Sequence, residues 1–182
     1  VRSRRQRQMC IRDRDFASVG YVTRELFSCT ILYTFIFSLL TASPFNAVLS
    51  RYMSDVIYEE RYQDILPCYH IGMLLNIGLS CLLGIPFCLW EHFVGKVPTA
   101  YVFCGFCGYI SLVLVFYSMI YLSICKDYQR ISQYFFFGML VAFVLALILH
   151  FILKWETTWS MLFSLTIGFF VTATLELSLI HI

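Results

Sequence analysis

The chain contains little charge, and a water-soluble domain needs charge on its surface. Only 13% of its 182 residues are Asp, Glu, Lys or Arg, whereas 60% are hydrophobic, and its mean hydropathy is +0.77. Soluble domains are usually about 25% charged. The composition therefore excludes an ordinary soluble domain and indicates a membrane protein.

Catalytic and metal-binding patterns are missing from the sequence as well. It has no GxSxG, no phosphate-binding Gly loop, no acidic pair suited to Mg²⁺ and a nucleotide sugar, and no His-rich cluster at ligand spacing. Cys104 and Cys107 have the spacing of a redox or zinc pair. They lie within a long apolar run without a second pair, where a thiol acts as a small hydrophobe. We therefore predict no enzyme, no cofactor and no metal site.

The two ends of the chain differ from the rest. Residues 1–14 hold six of the thirteen Lys and Arg residues. Back-translation of residues 4–13 matches a transposase-based sequencing adapter, and residues 177–182 match the reverse complement of its second half. We predict that 1–14, without a fold of its own, and 177–182 are adapter-derived, and that 15–176 is part of a membrane domain. For residues 1–14 the alternatives are a basic arm that binds nucleic acid and a juxtamembrane anchor.

Without residues 1–14 the charge balance changes sign. Removing six Arg from thirteen basic residues leaves seven, and removing Asp13 from eleven acidic residues leaves ten, so the net charge is about −3. A nucleic-acid partner calls for a basic surface, so we predict none.

Five uncharged runs are each long enough to cross a bilayer, which takes about 20 apolar residues. Strands of a membrane barrel would be about ten residues long with strict alternation, and these runs are apolar on all sides. The sequence therefore predicts an all-α, polytopic transmembrane helix bundle. Its five helices are expected near residues 26–58, 65–89, 97–123, 131–153 and 159–175.

The connections between these runs are too short for a soluble domain. Asp64 is expected to cap the second helix, with Pro67 tolerated in its first turn. Positive residues are distributed four against three between the two sides, with Arg51, Arg61, Lys126 and Arg130 on the more positive one. The positive-inside rule then predicts that the loops 51–64 and 125–130 are cytoplasmic.

The densest charge cluster of the membrane domain is SRYMSDVIYEER, residues 50–61. Arg51, Asp55 and Glu59 follow at intervals of four, so they share one helix face, and Arg51 and Asp55 are expected to form an ion pair. One interpretation is the solvated end of a membrane helix. The other is a gate formed with a neighbouring helix.

Few polar residues fall inside the predicted spans. Pro44 interrupts the first one and is predicted to act as a hinge, with Thr41 and Ser43 able to bond the backbone groups that Pro44 frees. Asn46 and Asn76 are candidates for lining a cavity. Alternatively, Asn76 bonds a neighbouring helix.

Two stretches resemble a known family. They are LLTASPFNAVLSRYMSDVIYEERYQDILPCYHIGMLL, with Pro44, Arg51, Asp55 and Glu59 and the D-x-L-P step at Asp64, and YLSICKDYQRISQYFFFGML, residues 121–140. The chain is similar over nearly all of 15–176 to the membrane subunit of Pel exopolysaccharide export (PelG type), a relative of the MATE-like polysaccharide flippases.

This resemblance implies a fold and a function. The fold would be a two-lobe bundle of about twelve helices, of which this chain would supply the second to sixth. The function would be export of a biofilm polysaccharide across the inner membrane, beside a cytosolic glycosyltransferase and other export-complex subunits. Arg51, Asp55 and Glu59 would form a gate or a dock for the synthase, with Lys126 and Arg130 as partners.

Two other functions remain as alternatives. One is a membrane-embedded glycosyltransferase or acyltransferase component. The other is a small-molecule antiporter of the same superfamily, which predicts a lone intramembrane carboxylate that residues 26–175 do not contain.

Overall fold

Five long helices make up the chain in the computed structural model, which describes residues 21–124, 126 and 128–180. The helices are α1 (Tyr21–Tyr58), α2 (Ile65–Phe93), α3 (Thr99–Ile124), α4 (Tyr128–Phe151) and α5 (Thr157–Ile180), and a 3-10 turn (Tyr62–Asp64) precedes α2. All five are long and apolar enough to cross a membrane. The predicted all-α, polytopic bundle is therefore confirmed.

The helix ends differ from the predicted ends by a few residues. α1 begins at Tyr21 and α4 at Tyr128, both earlier than predicted, and α2 continues to Phe93. α5 continues to Ile180 and so includes part of 177–182. The prediction for residues 1–14 lies outside the described residues.

The helices alternate in direction. Contacts pair Thr30 with Tyr101 and Asn46 with Phe116, so α1 and α3 run parallel. Tyr69 of α2 bonds Ser118 near the end of α3, so α2 runs antiparallel to both. The turns after α1 and after α3 therefore lie at the same end of the bundle, which we call the α1–α2 end.

α3 is the central helix. Half of the residues in its most apolar window are buried, compared with 11% in α2. α1, α2 and α5 all pack against it. The other helices expose large apolar side chains, among them Leu40, Leu74 and Phe136, as expected for surfaces that face lipid or further helices.

Each turn that follows a helix places a charged residue in the left-handed backbone region. These residues are Glu60 (φ 57°), Lys96 (φ 52°), Lys126 (φ 61°) and Lys154 (φ 54°). A residue in this conformation commonly ends a helix, and Lys near a helix C-terminus also interacts favourably with the helix dipole. Glu60 is acidic, unlike the three lysines, and the basic residue at this turn is Arg61, which follows it directly.

α4 and α5 approach each other closely through small residues. A Cβ added at Gly138 would overlap the Thr172 hydroxyl and would lie 2.8 Å from the carbonyl oxygen of Gly168. Small residues at helix contacts allow such approach in membranes, where apolar burial alone does not hold helices together. The α4–α5 pair therefore depends on glycine at position 138.

Gly138→Ala is expected to destabilise the bundle. Overpacking costs about 1–3 kcal/mol, which exceeds the gain of up to about 1 kcal/mol in helix propensity. The measurement is the thermal melting temperature of the purified full-length protein. Gly78→Ala is the matched control, because no atom lies within 4 Å of the added Cβ, and it should melt at or slightly above the wild-type temperature. Equal melting of the two variants would contradict the close α4–α5 contact.

Candidate functional site

The predicted charged residues lie together at the α1–α2 end. Arg51 and Asp55 occupy the last turns of α1, Glu59 follows that helix, Lys126 lies in the turn after α3, and Arg130 lies in the first turn of α4. All five side chains are exposed. Their joint placement follows from the parallel course of α1 and α3.

The ion pairs at this end differ from the predicted one. Among the described residues, the salt bridges join Arg61 to Glu59 and to Asp64, the latter at 3.6 Å, and none joins Arg51 to Asp55. The reason lies in the turn, where the Arg61 N–H donates to the Val56 carbonyl at 3.1 Å and so folds the chain back toward Glu59. The expected Arg51–Asp55 pair was therefore wrong for this structure.

Asp64 does not cap α2 as predicted, and Arg61 is the reason. Asp64 occupies the N-cap position of α2, but its side chain makes no capping hydrogen bond. Its carboxylate is directed toward Arg61 instead. The hydrogen bond and charge of Glu59, with a smaller contribution from Asp64, raise the pKa of the Arg61 guanidinium above its usual value.

Pro44 lies inside an uninterrupted α1. Thr41, one turn earlier, donates its hydroxyl to the Phe37 carbonyl at 2.8 Å and shares a hydrogen bond of 2.9 Å with the Tyr109 hydroxyl of α3. Ser43 is exposed. The expectation that Thr41 bonds the carbonyl freed by Pro44 was wrong, because that carbonyl belongs to Leu40, whereas Thr41 bonds the Phe37 carbonyl and Tyr109.

Two carboxamides lie at the interfaces around α3. Asn46 donates to the Phe116 carbonyl at 3.4 Å, and its side-chain oxygen is buried without a partner in the part of the chain that the structure describes. Asn76 is fully buried, and neither of its amide atoms has a hydrogen-bond partner among the described residues. The alternative in which Asn76 bonds a neighbouring helix is therefore not seen here.

Hydroxyl groups connect α2 to α3 near the α1–α2 end. The Tyr69 and Ser118 hydroxyls are 3.1 Å apart, and Tyr117 donates to the Tyr69 carbonyl at 3.1 Å. The Tyr69 and Tyr117 rings also stack with centroids 5.1 Å apart. These buried contacts fix α2 against α3 at this level.

Glu176 is a functional candidate that the sequence analysis missed. It lies on α5, is fully buried, and neither carboxylate oxygen has a hydrogen-bond partner among the described residues. The apolar run was ended at residue 175, one position too early. The signal that was available is an acidic residue directly after an apolar run, at a position where the helical pattern still continues.

A groove of about 380 Å³ lies between α1, α2 and α3, toward the end opposite to the α1–α2 end. Its walls are mainly apolar and aromatic, with Phe37, Phe87 and Phe106 among them, and Glu91 is the charged residue of its lining. Hydroxyls also line it, among them those of Tyr33 and Thr34.

Comparison with protein families identifies the chain. The family model described as "PelG: Putative exopolysaccharide Exporter (EPS-E)" matches residues 14–182, which include all five helices. The chain belongs to the PelG family of exopolysaccharide exporters. No curated protein and no solved structure matches it.

Membership of the PelG family confirms the resemblance on which the predicted function rested. A member of a family of exporters is a transport protein with a polysaccharide substrate, and five helices able to cross a membrane make it a multi-pass membrane protein. The PelG match begins at Arg14 and includes 177–182. The adapter origin of the two ends and the kinship with MATE-like flippases stay predictions.

Asn76→Leu is expected to raise the melting temperature of the full-length protein. Leu has a similar volume, and the change removes a buried carboxamide whose missing hydrogen bonds cost about 1–3 kcal/mol. The matched control is Ser80→Ala, one turn along the same buried face, which removes a hydroxyl that is bonded to the Asn76 carbonyl at 2.7 Å and should lower the melting temperature slightly. A lower melting temperature for Asn76→Leu than for wild type would show that the amide has a partner.

Proposed function

We propose that this chain is part of a flippase-type exporter that carries a growing exopolysaccharide across the inner membrane. The observation that carries the proposal is the PelG family match across all five helices. The chain would form part of one lobe of a larger two-lobe bundle. The lobes would either rock about a central path or leave a channel for a polymer pushed by synthesis.

The charged α1–α2 end is proposed as the cytoplasmic mouth. Four basic residues lie there, Arg51, Arg61, Lys126 and Arg130, against Arg24, Lys96 and Lys154 at the opposite end, and cytoplasmic loops are enriched in Lys and Arg. Arg51 and Asp55 on α1 and Glu59 just after it are exposed, so they can contact a further helix or a cytosolic glycosyltransferase. Together with Lys126 and Arg130 they form the proposed gate or synthase dock.

Pro44 is proposed as the hinge that this mouth requires. It removes one backbone hydrogen bond within α1, about two turns before Arg51. Both halves of α1 are attached to α3, the first through Thr41 and Tyr109 and the second through Asn46 and Phe116. A bend at Pro44 would therefore move the charged half by opening the weaker contact, the 3.4 Å bond of Asn46, while the first half stays packed.

An antiporter for small molecules is the second candidate, and Glu176 is the observation that favours it. That function predicts a lone intramembrane carboxylate, and Glu176 is a buried carboxylate within a membrane-spanning helix. Cells that lack the full-length protein distinguish the two. Loss of surface polysaccharide indicates the exporter, and unchanged surface polysaccharide indicates the antiporter.

Asp55→Ala in the full-length protein is expected to reduce the amount of exported polysaccharide. Asp55 is exposed, so its removal should change the free energy of unfolding by no more than about 0.5 kcal/mol, and the loss would reflect a missing contact. The measurement is surface polymer per cell at equal protein level. Glu25→Ala is the control, since Glu25 is an exposed acid at the other end of α1, and it should export normally. Normal export by Asp55→Ala would refute the gate or dock.

A further inference from the structure

Among the Asp, Glu, Lys and Arg residues in the described part of the bundle, Glu176 is the one whose side chain is fully buried. Both of its carboxylate oxygens lack a hydrogen-bond partner there. The salt bridges of the described residues, which both involve Arg61, do not include it. Ionisable groups inside a membrane bundle are costly to keep, so a functional role is the first hypothesis for each.

The register of α4 and α5 locates Glu176 within the bundle. Gly138 meets Thr172, and Ala142 meets Gly168, in an antiparallel pair. One turn further toward the α1–α2 end, Tyr134 is level with Glu176. Thr166 of α5 bonds the Cys104 carbonyl of α3, and these two helices run parallel, so Glu176 is level with the segment of α3 around residues 114–118.

The groups on the surrounding helices are phenols, hydroxyls, a carboxamide, an imidazole and apolar side chains. α2 contributes Tyr69, whose phenol interacts electrostatically with Glu176, and His70, whose ring bonds the Leu66 carbonyl of its own helix. On α1, Asn46 is level with Phe116 of α3, and buried Leu49 and Met53 belong to the cluster against which Leu177 packs. The titratable groups of the other two helices near this level are Tyr117 and Tyr121 of α3, and Tyr134 and Arg130 of α4.

None of these groups supplies a positive charge to the carboxylate. Arg130 is exposed, one turn further out than Tyr134, and it forms no salt bridge with Glu176. The hydroxyls of Tyr69 and Ser118 are bonded to each other. An ionised carboxylate would therefore be buried without compensation, which proteins avoid.

A bound proton solves this problem more simply than a bound metal ion. A hard cation needs about six oxygen ligands, whereas a proton needs one. Among the described residues no group of three or more His, Cys, Asp or Glu side chains could hold a metal ion. The neutral acid formed by a proton can stay buried among tyrosines and apolar side chains.

We propose that Glu176 is a proton-binding site that links the packing of α5 to the transport cycle. In the packed arrangement described here the carboxyl group carries the proton. When the α1–α2 end opens, the O–H bond breaks, the proton passes to water, and the carboxylate remains hydrated. Reprotonation from water allows α5 to pack again. This link to transport rests on the proposed function, whereas the proton site itself does not.

The site is tested by infrared spectroscopy on the purified full-length protein in liposomes. The carbonyl stretch of a protonated carboxylic acid should be present at neutral pH and should disappear in Glu176→Gln. It should not respond to replacement of K⁺ by Na⁺. Glu25→Gln, an exposed acid on α1, is the control and should leave the band unchanged. A spectrum of Glu176→Gln identical to wild type, or a band removed by Na⁺, would overturn the proton site.

The link to transport is tested by surface polysaccharide in cells. Glu176→Gln keeps the shape of the neutral acid but cannot release a proton, so it should lose most of the exported polymer at normal protein level and melting temperature. Glu176→Asp retains the titratable group and should export more than Glu176→Gln. Equal export by wild type and Glu176→Gln would overturn the link while leaving the exporter function intact. If removal of the wild-type protein leaves surface polymer unchanged, the proposed function fails and the link fails with it, and the infrared band still decides the proton site.

Discussion

The hydrogen bonds of α3 are the interactions on which the bundle depends. Tyr109 joins α3 to α1 through Thr41, and Tyr117 and Ser118 join it to α2 through Tyr69. In lipid the apolar surface of a helix gains little from meeting another helix, so association relies on such bonds and on close packing. Each bond between helices contributes only about 0.6 kcal/mol on average. Several weak contacts hold the helices in register, and a few of them can be exchanged without loss of the fold.

Close packing of the helices is the second source of stability, and it differs from one helix pair to another. α4 packs mainly against α5, through Gly138 and Gly168, and α5 in turn packs against α3. α4 is therefore attached to the described bundle mainly through α5. This arrangement gives Glu176 its importance, because the buried carboxyl group lies on the helix that connects the α4–α5 pair to the rest of the described bundle.

Much of the architecture could be predicted from the sequence, because long uncharged runs in a chain this apolar have few alternatives to membrane helices. The joint placement of the five charged candidates also followed, since short turns force neighbouring helices to alternate in direction. Which charged residues form ion pairs could not be predicted from the sequence. Spacing indicated that Arg51 and Asp55 share a helix face, but the turn at Glu60 brought Arg61 to Glu59 and Asp64 instead.

Burial of single polar residues was the least predictable part. Thr41 was expected to bond only the backbone near Pro44, but it also bonds Tyr109, and this contact depends on the distance between α1 and α3, which the local sequence does not contain. Glu176 was missed because hydropathy treats an acid as the end of a span. Its burial arises from the way α5 packs against α3 and α4.

In the proposed transport cycle the described packing is a closed state, in which Ser118 and Glu176 are hidden from water, and export exposes them. The most direct measurement is thiol labelling of Ser118→Cys in the full-length protein in cells, with the other reactive cysteines replaced by Ser. Ser118 is fully buried, so a small water-soluble thiol reagent should not label the cysteine at rest. It should label the cysteine while polymer is being synthesised and exported. Equal labelling in both conditions, or no labelling in either, would contradict the claim.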